Sequence, residues 1–146
     1  MVQVPMWQCT IIGMVDTYSF QFCQKIVLFN KELNSVLLAR RAGEVDLNNM
    51  YSFVGGKLET TDGGLVAGLK REKDEEIGTA ISVRICPSIS YNAYFIKKDG
   101  SAMVLPHYFA KHLHGDVVIN DEYSAFKWVP LADLNAFGPK LENVEE

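Results

Sequence analysis

Apolar and polar positions change their period twice along the chain, and those changes lay out its elements. Residues 25–29, KIVLF, and 35–41, SVLLARR, are rich in β-branched and large apolar residues that suit a pleated surface. Between them NKELN, residues 30–34, is polar and turn-forming, so the two runs are predicted to pair as a hairpin. The loop AGEVDLNNM follows and leads into a short apolar stretch, YSFV, that runs into Gly55 and Gly56. From about Asp62 the spacing turns helical, with Leu65, Leu69 and Ile77 on one stripe and Val66 beside it. Thr61 or Asp62 stands where an N-cap is expected, and Gly78 where a C-cap glycine ends a helix. Gly64 and Gly68 lower the helix propensity, which predicts an irregular first turn.

Strand-like runs return at residues 81–85, 89–96, 103–113 and 125–129, with Lys98-Asp99-Gly100 as a tight turn. A short helix is expected after Pro130, with Trp128 packed against it, and the end PKLENVEE is expected to fray. The order of strands, helix, strands and a second helix predicts an α+β domain in which a mixed sheet packs between helices as a layered sandwich. No repeat, linker or low-complexity tract divides the chain. One domain over residues 1–146 follows, with its core between about residues 7 and 138.

Composition narrows the function. Hydrophobic residues make up 48% and charged residues 22%, so a chain of this length can bury its own core without metal or disulfide staples. The net charge of −4 excludes a nucleic-acid binder driven by overall positive charge, although a local basic pocket for a small phosphate compound stays open. Cys9, Cys23 and Cys86 form no C-x-x-C pair and read as reduced thiols of a cytosolic protein. No apolar run approaches the ~18 residues of a membrane span, and no basic stretch precedes an apolar one at the start. A cytoplasmic location is therefore expected.

The stretch that carries chemistry is GGKLETTDGGLVAGLKREKDEEIG, residues 55–78. At 100° per residue, Glu72, Glu75 and Glu76 share an arc of about 100° on one helix face. Three like charges so close repel, and a hard divalent cation such as Mg²⁺ offsets that repulsion with oxygen ligands. Arg71, four residues before Glu75, can pair with it and hold its carboxylate. A solvated acidic helix end is the alternative. Against it, Leu65 and Leu69 lie near the same angle as the glutamates, and a Gly-Gly-Lys turn precedes the helix, where bare backbone can approach a phosphate.

These residues resemble the Nudix box of the MutT-like hydrolases: a glycine, five residues, a glutamate, seven residues, then R-E-x-x-E-E-x-G. Here the core is Arg71, Glu72, Lys73, Asp74, Glu75, Glu76, Ile77, Gly78, preceded by YSFVGGKLE and followed late by WVPLADL, residues 128–134. The step from Gly56 to Arg71 is one residue longer than the family's. Asp62, or else Glu59, stands in for the loop glutamate, while Lys73 and Thr79 replace aliphatic residues. The resemblance implies a Nudix fold and Mg²⁺- or Mn²⁺-dependent hydrolysis of a nucleoside diphosphate linked to another moiety. It implies Glu72 and Glu76 as metal ligands, Glu75 as a further ligand or base, Gly56 beside the metal, and Glu122 as candidate general base. Arg40, Arg41 and Lys57 are candidates for the substrate phosphates, and the partner is a small nucleotide, with a homodimer also implied. A Nudix-fold binding or regulatory domain without turnover is the alternative, favoured by the added residue and the missing loop glutamate. An isomerase of diphosphate esters ranks below both.

The remaining candidates read as structure. His107 lies opposite in strand parity to His112 and His114, which speaks against a histidine metal site. Tyr91, Tyr94, Phe95 and Tyr108 are expected in the core or on strand faces, with one of them able to stack on a nucleobase.

Overall fold

The computed structural model describes residues 19–141 except 46, together with residue 144. Strands β1 (Phe20–Phe22), β2 (Lys25–Phe29), β3 (Ser35–Arg41) and β4 (Tyr51–Ser52) precede helix α1 (Leu65–Ile77). Strands β5 (Ser82–Ile96), β6 (Ala102–His114) and β7 (Tyr123–Pro130) follow, and a 3₁₀ turn, Leu131–Asp133, ends the series. The sheet is mixed: β6 runs parallel to β1 and β2 and antiparallel to β5, while β3 is antiparallel to β2, β4 and β7.

The predicted β2–β3 hairpin forms with the expected arms, but their pairing is confined to the tip at Phe29↔Val36. At that tip the Asn30 side-chain oxygen accepts the N–H groups of Asn34 and Ser35 at 2.9 and 3.0 Å. Beyond it the arms part, β2 toward β6 and β3 toward β7. The returning chain fills the gap. Ser52 pairs with Ala39, Val54 bridges Ile26, and Lys57 bridges Cys23. Gly55 and Gly56 are thereby wedged between the two arms.

Alternation along the strands splits the core. Ile26, Leu28, Leu37 and Tyr108 face α1 and pack with its Leu69 and Ile77. Val27, Val36 and Leu38 face the other way, against Phe53, Val129 and the late residues Leu134, Phe137 and Val144.

Five expectations are corrected. The end does not fray over its described residues, because Val144 is buried and Tyr51 exchanges backbone hydrogen bonds with Pro139 and Leu141. Residues 81–85 and 89–96 belong to one strand, because the register slips between Cys86 and Ser90 and absorbs Pro87, which cannot donate to the ladder. Helix α1 begins after Gly64 with no side-chain cap, since the Asp62 carboxylate is taken by Arg71. The late helix is a single 3₁₀ turn, so among the described residues α1 is the one α-helix, and irregular chain covers the opposite face. Trp128 lies on the α1 side instead, stacked on His112 at 5.6 Å. Gly78 ends the helix as expected, with φ +90°. Cys23 and Cys86 are free thiols, and Cys9 lies outside the described residues. Among the described residues no helix is long and apolar enough to cross a membrane.

Candidate active site

Packing of Leu69 and Ile77 turns one side of α1 into the sheet and takes two glutamates with it. Glu72 is 8% exposed and Glu76 2%, whereas the Glu75 side chain is 56% exposed. The acidic arc is therefore a buried pair with an exposed third member. Leu65 stays half exposed at the start of the helix.

The wedged glycines meet these carboxylates directly. The Gly55 N–H donates to Glu76, and the Tyr123 hydroxyl donates to the same carboxylate at 3.0 Å. Gly55 also accepts a hydrogen bond from Lys25 Nζ at 2.9 Å. Burial pushes the Glu76 carboxyl up to about 7, against the opposing pull of Lys25, the Gly55 N–H and Tyr123. Glu72 is likewise raised by burial, with Arg71 opposing. The Tyr123 phenol, raised by burial and by Glu76, remains a donor. A Cβ at Gly56 would lie 2.4 Å from a Glu72 carboxylate oxygen, so any side chain there displaces that carboxylate. At Gly55, φ is +131° and a Cβ would lie 2.2 Å from the Gln24 carbonyl oxygen.

Arg71 is the hub of the acidic side chains. It forks onto Asp62 at 2.7 and 2.9 Å, reaches Glu72 at 2.8 Å and Glu75 at 3.2 Å, and donates to the Lys57 carbonyl at 3.0 Å. That fork, with the Glu59 N–H, holds the Asp62 carboxyl down at about 2. Of the two loop acids considered, Asp62 takes the arginine, while Glu59 lies 3.7 Å from it and is exposed. Asp62 keeps the family's spacing from Gly56, so the added residue falls after it, at Gly63-Gly64.

A cavity of about 350 Å³ opens over these groups. Glu72, Glu75, Glu76, Arg71, Gly56, Lys57, Arg41 and Glu122 all line it, so most of the predicted set is brought together. Arg40 is not among them, since its Nε donates to Ser124 Oγ at 2.8 Å. Arg41 pairs with Glu44 and stands 6.0 Å from the Tyr123 ring. Sequence reasoning missed Lys25 and Cys23 on the cavity wall and Tyr123 behind it, while Gly55 belongs to the expected Gly-Gly-Lys turn. His107 is fully buried on the far side of β6, stacked on Tyr91 at 4.5 Å, and burial lowers it to about 4.

A family model, the NUDIX domain, matches residues 23–145. The chain belongs to the Nudix family. Solved Nudix structures share the fold. A MutT NUDIX hydrolase from Burkholderia pseudomallei aligns at TM-score 0.71 and 20% identity, covering 87% of this chain and 94% of its own. The MutT protein from Methanosarcina mazei Go1 aligns at 0.67 and 19%, covering 84% and 86%. The NUDIX domain of Shewanella oneidensis NrtR, complexed with ADP ribose, aligns at 0.67 and 18%, covering 94% and 92%. No curated protein matches the sequence.

The Nudix site has the donor chemistry of a hard cation: carboxylate oxygens on α1 and bare backbone at Gly56. Among the described residues no three acidic, histidine or cysteine side chains converge as a ready ligand set. The cause is geometric, because Arg71 draws Glu72 and Glu75 while Gly55 and Tyr123 draw Glu76. Glu72, Glu75 and Glu76 nonetheless line one cavity with Gly56 and offer the carboxylate oxygens that a hard cation takes, so the residues fit it.

Proposed function

We propose that this Nudix domain hydrolyses a phosphoric anhydride bond in a nucleotide, either a nucleoside diphosphate linked to another moiety or a nucleotide sugar. The observation that carries the reading is the meeting of Gly55-Gly56 with the α1 glutamates in one cavity that also presents Arg41 and Lys57. Glu72 and Glu76 would hold Mg²⁺ or Mn²⁺, with Glu75 as a further oxygen ligand. Such a cation neutralises phosphate oxygens and lowers the pKa of a bound water. Arg71 aligns the carboxylates of Glu72 and Glu75. Arg41 and Lys57 take phosphate oxygens on the open side, a task that suits a guanidinium fork and a mobile ammonium. Glu122, exposed at the rim and close enough to raise both Glu72 and Glu76, accepts the proton of the attacking water.

The test is a divalent-cation-dependent phosphate-release screen over nucleoside triphosphates, dinucleoside polyphosphates and nucleotide sugars. At least one compound turns over, and Glu72→Gln or Glu76→Gln abolishes that turnover in a folded protein. A nucleotide-binding domain without turnover is the second reading, supported by the added loop residue and by Asp62, paired with Arg71, in place of the loop glutamate. Tight nucleotide binding with no release across the screen would select it.

A further inference from the structure

The geometry points to Lys25 as a phosphate-binding residue of this site, an inference that rests on the anionic substrate of the proposed function. Lys25 opens β2 inside an apolar arm, between the fully buried Gln24 and Ile26, and is itself 6% exposed. A lysine is almost never buried this far without a charged or polar partner. Its Nζ donates one hydrogen bond, to the Gly55 carbonyl at 2.9 Å. Among the described residues no second acceptor is within hydrogen-bond reach, and no carboxylate lies within ion-pair distance. A methionine would fill the same space with no ammonium to desolvate, so packing alone does not account for the residue.

What the charge faces accounts for it better. Lys25 lines the cavity, and it is the strongest opposite charge acting on Glu76. When the α1 carboxylates are engaged by a cation, the remaining phosphate oxygens need protein donors. Arg71 cannot supply them, since Asp62, Glu72, Glu75 and the Lys57 carbonyl already occupy its guanidinium. Arg41 is paired with Glu44, and Lys57 is exposed and must be ordered on binding. Of the cavity's cations, Lys25 is the one both fixed, by β2 and by Gly55, and without a carboxylate at ion-pair distance among the described residues. A preorganised charge there contacts a phosphate oxygen at little cost in side-chain entropy.

The experiment titrates inorganic pyrophosphate into wild type, Lys25→Gln and Lys25→Met by calorimetry, and measures Mn²⁺ affinity separately by electron paramagnetic resonance. Thermal melts establish that each variant is folded. Glutamine keeps a donor for the Gly55 carbonyl and removes the charge. Both variants are expected to weaken pyrophosphate at least tenfold while Mn²⁺ binds no more weakly than to wild type, and Lys25→Arg should retain most of the affinity. Wild-type pyrophosphate affinity in Lys25→Gln would overturn the assignment, because the hydrogen bond to Gly55 would then be the whole role. A parallel loss of Mn²⁺ would also overturn it, placing the effect in the glycine turn. The readout needs no turnover. A wild type that binds pyrophosphate through Lys25 yet hydrolyses nothing removes the hydrolase reading and leaves this one standing.

Discussion

Glu76 sits where burial opposes its charge and three neighbours favour it: Lys25, the Gly55 N–H and the Tyr123 hydroxyl. Burial wins, and its carboxyl titrates near 7 instead of the ordinary 4.5. A native pKa raised in this way means that the folded state holds the proton longer than the unfolded one. The stability it contributes is present below pH 4.5 and is lost as pH rises through 7. Metal-free protein should therefore lose melting temperature between pH 5.5 and 8. Glu76→Gln should flatten that loss and be the more stable protein at pH 8, by an amount on the order of 1 to 3 kcal/mol. Unchanged pH dependence in the variant would contradict this. The two glycines should behave differently from each other. Gly56→Ala presses on the movable end of Glu72, so the fold should survive with turnover reduced at least about a hundredfold. Gly55→Ala presses on the Gln24 backbone at a positive φ and should cost several kcal/mol of stability, measured by urea unfolding. The carboxylates were legible because their helical spacing is local. Lys25 was not, because KIVLF reads as an apolar strand and the reason for its lysine lies 30 residues away at Gly55. Tyr123 was hidden in the same way, 47 residues from the carboxylate that it holds.

At the scale of elements, α1 departs from its family at Lys73, where an aliphatic residue is usual. The side chain is nearly buried and ties the helix end to the next strand, donating to the carbonyls of Gly78 and Ile81 at 3.1 and 3.0 Å. Its ammonium, reaching the Gly78 carbonyl past the helix end, also meets the negative end of the helix dipole. Lys73→Ala should cost about 2 kcal/mol in urea unfolding, with activity per folded molecule unchanged. Loss of activity without loss of stability would place Lys73 in the chemistry instead. The two hairpin arms and the Gly78 terminus were readable from period and composition. The helix start was not, since Asp62 has a choice between capping α1 and pairing with Arg71, and a bidentate guanidinium outcompetes a single N–H. Residues 81–85 and 89–96 likewise read as two strands from the sequence, and β5 joins them by a bulge between Cys86 and Ser90.

Across the whole molecule, the parting of β2 and β3 creates the site. It admits the returning chain, sets Gly55-Gly56 under α1, and leaves Arg41, Lys57 and Glu122 around one opening. The opposite face of the sheet carries His107, lowered to about 4 by burial with Lys25 pulling the same way. Its contribution to stability is present above pH 6.5 and lost as pH falls toward 4. His107→Phe, which can keep the ring contacts with Tyr91 and Phe53, should reduce the acid-side loss of melting temperature over that range. An identical acid limb would show that another group sets it. The central claim is that the α1 glutamates hold a divalent cation against the glycine turn. Its most direct measurement is the anomalous signal of Mn²⁺ in crystals grown with a non-hydrolysable nucleotide. The predicted result is an ion at about 2.0–2.3 Å from carboxylate oxygens of Glu72 and Glu76. An ion bound elsewhere, or nucleotide bound with no ion on these side chains, would contradict the account.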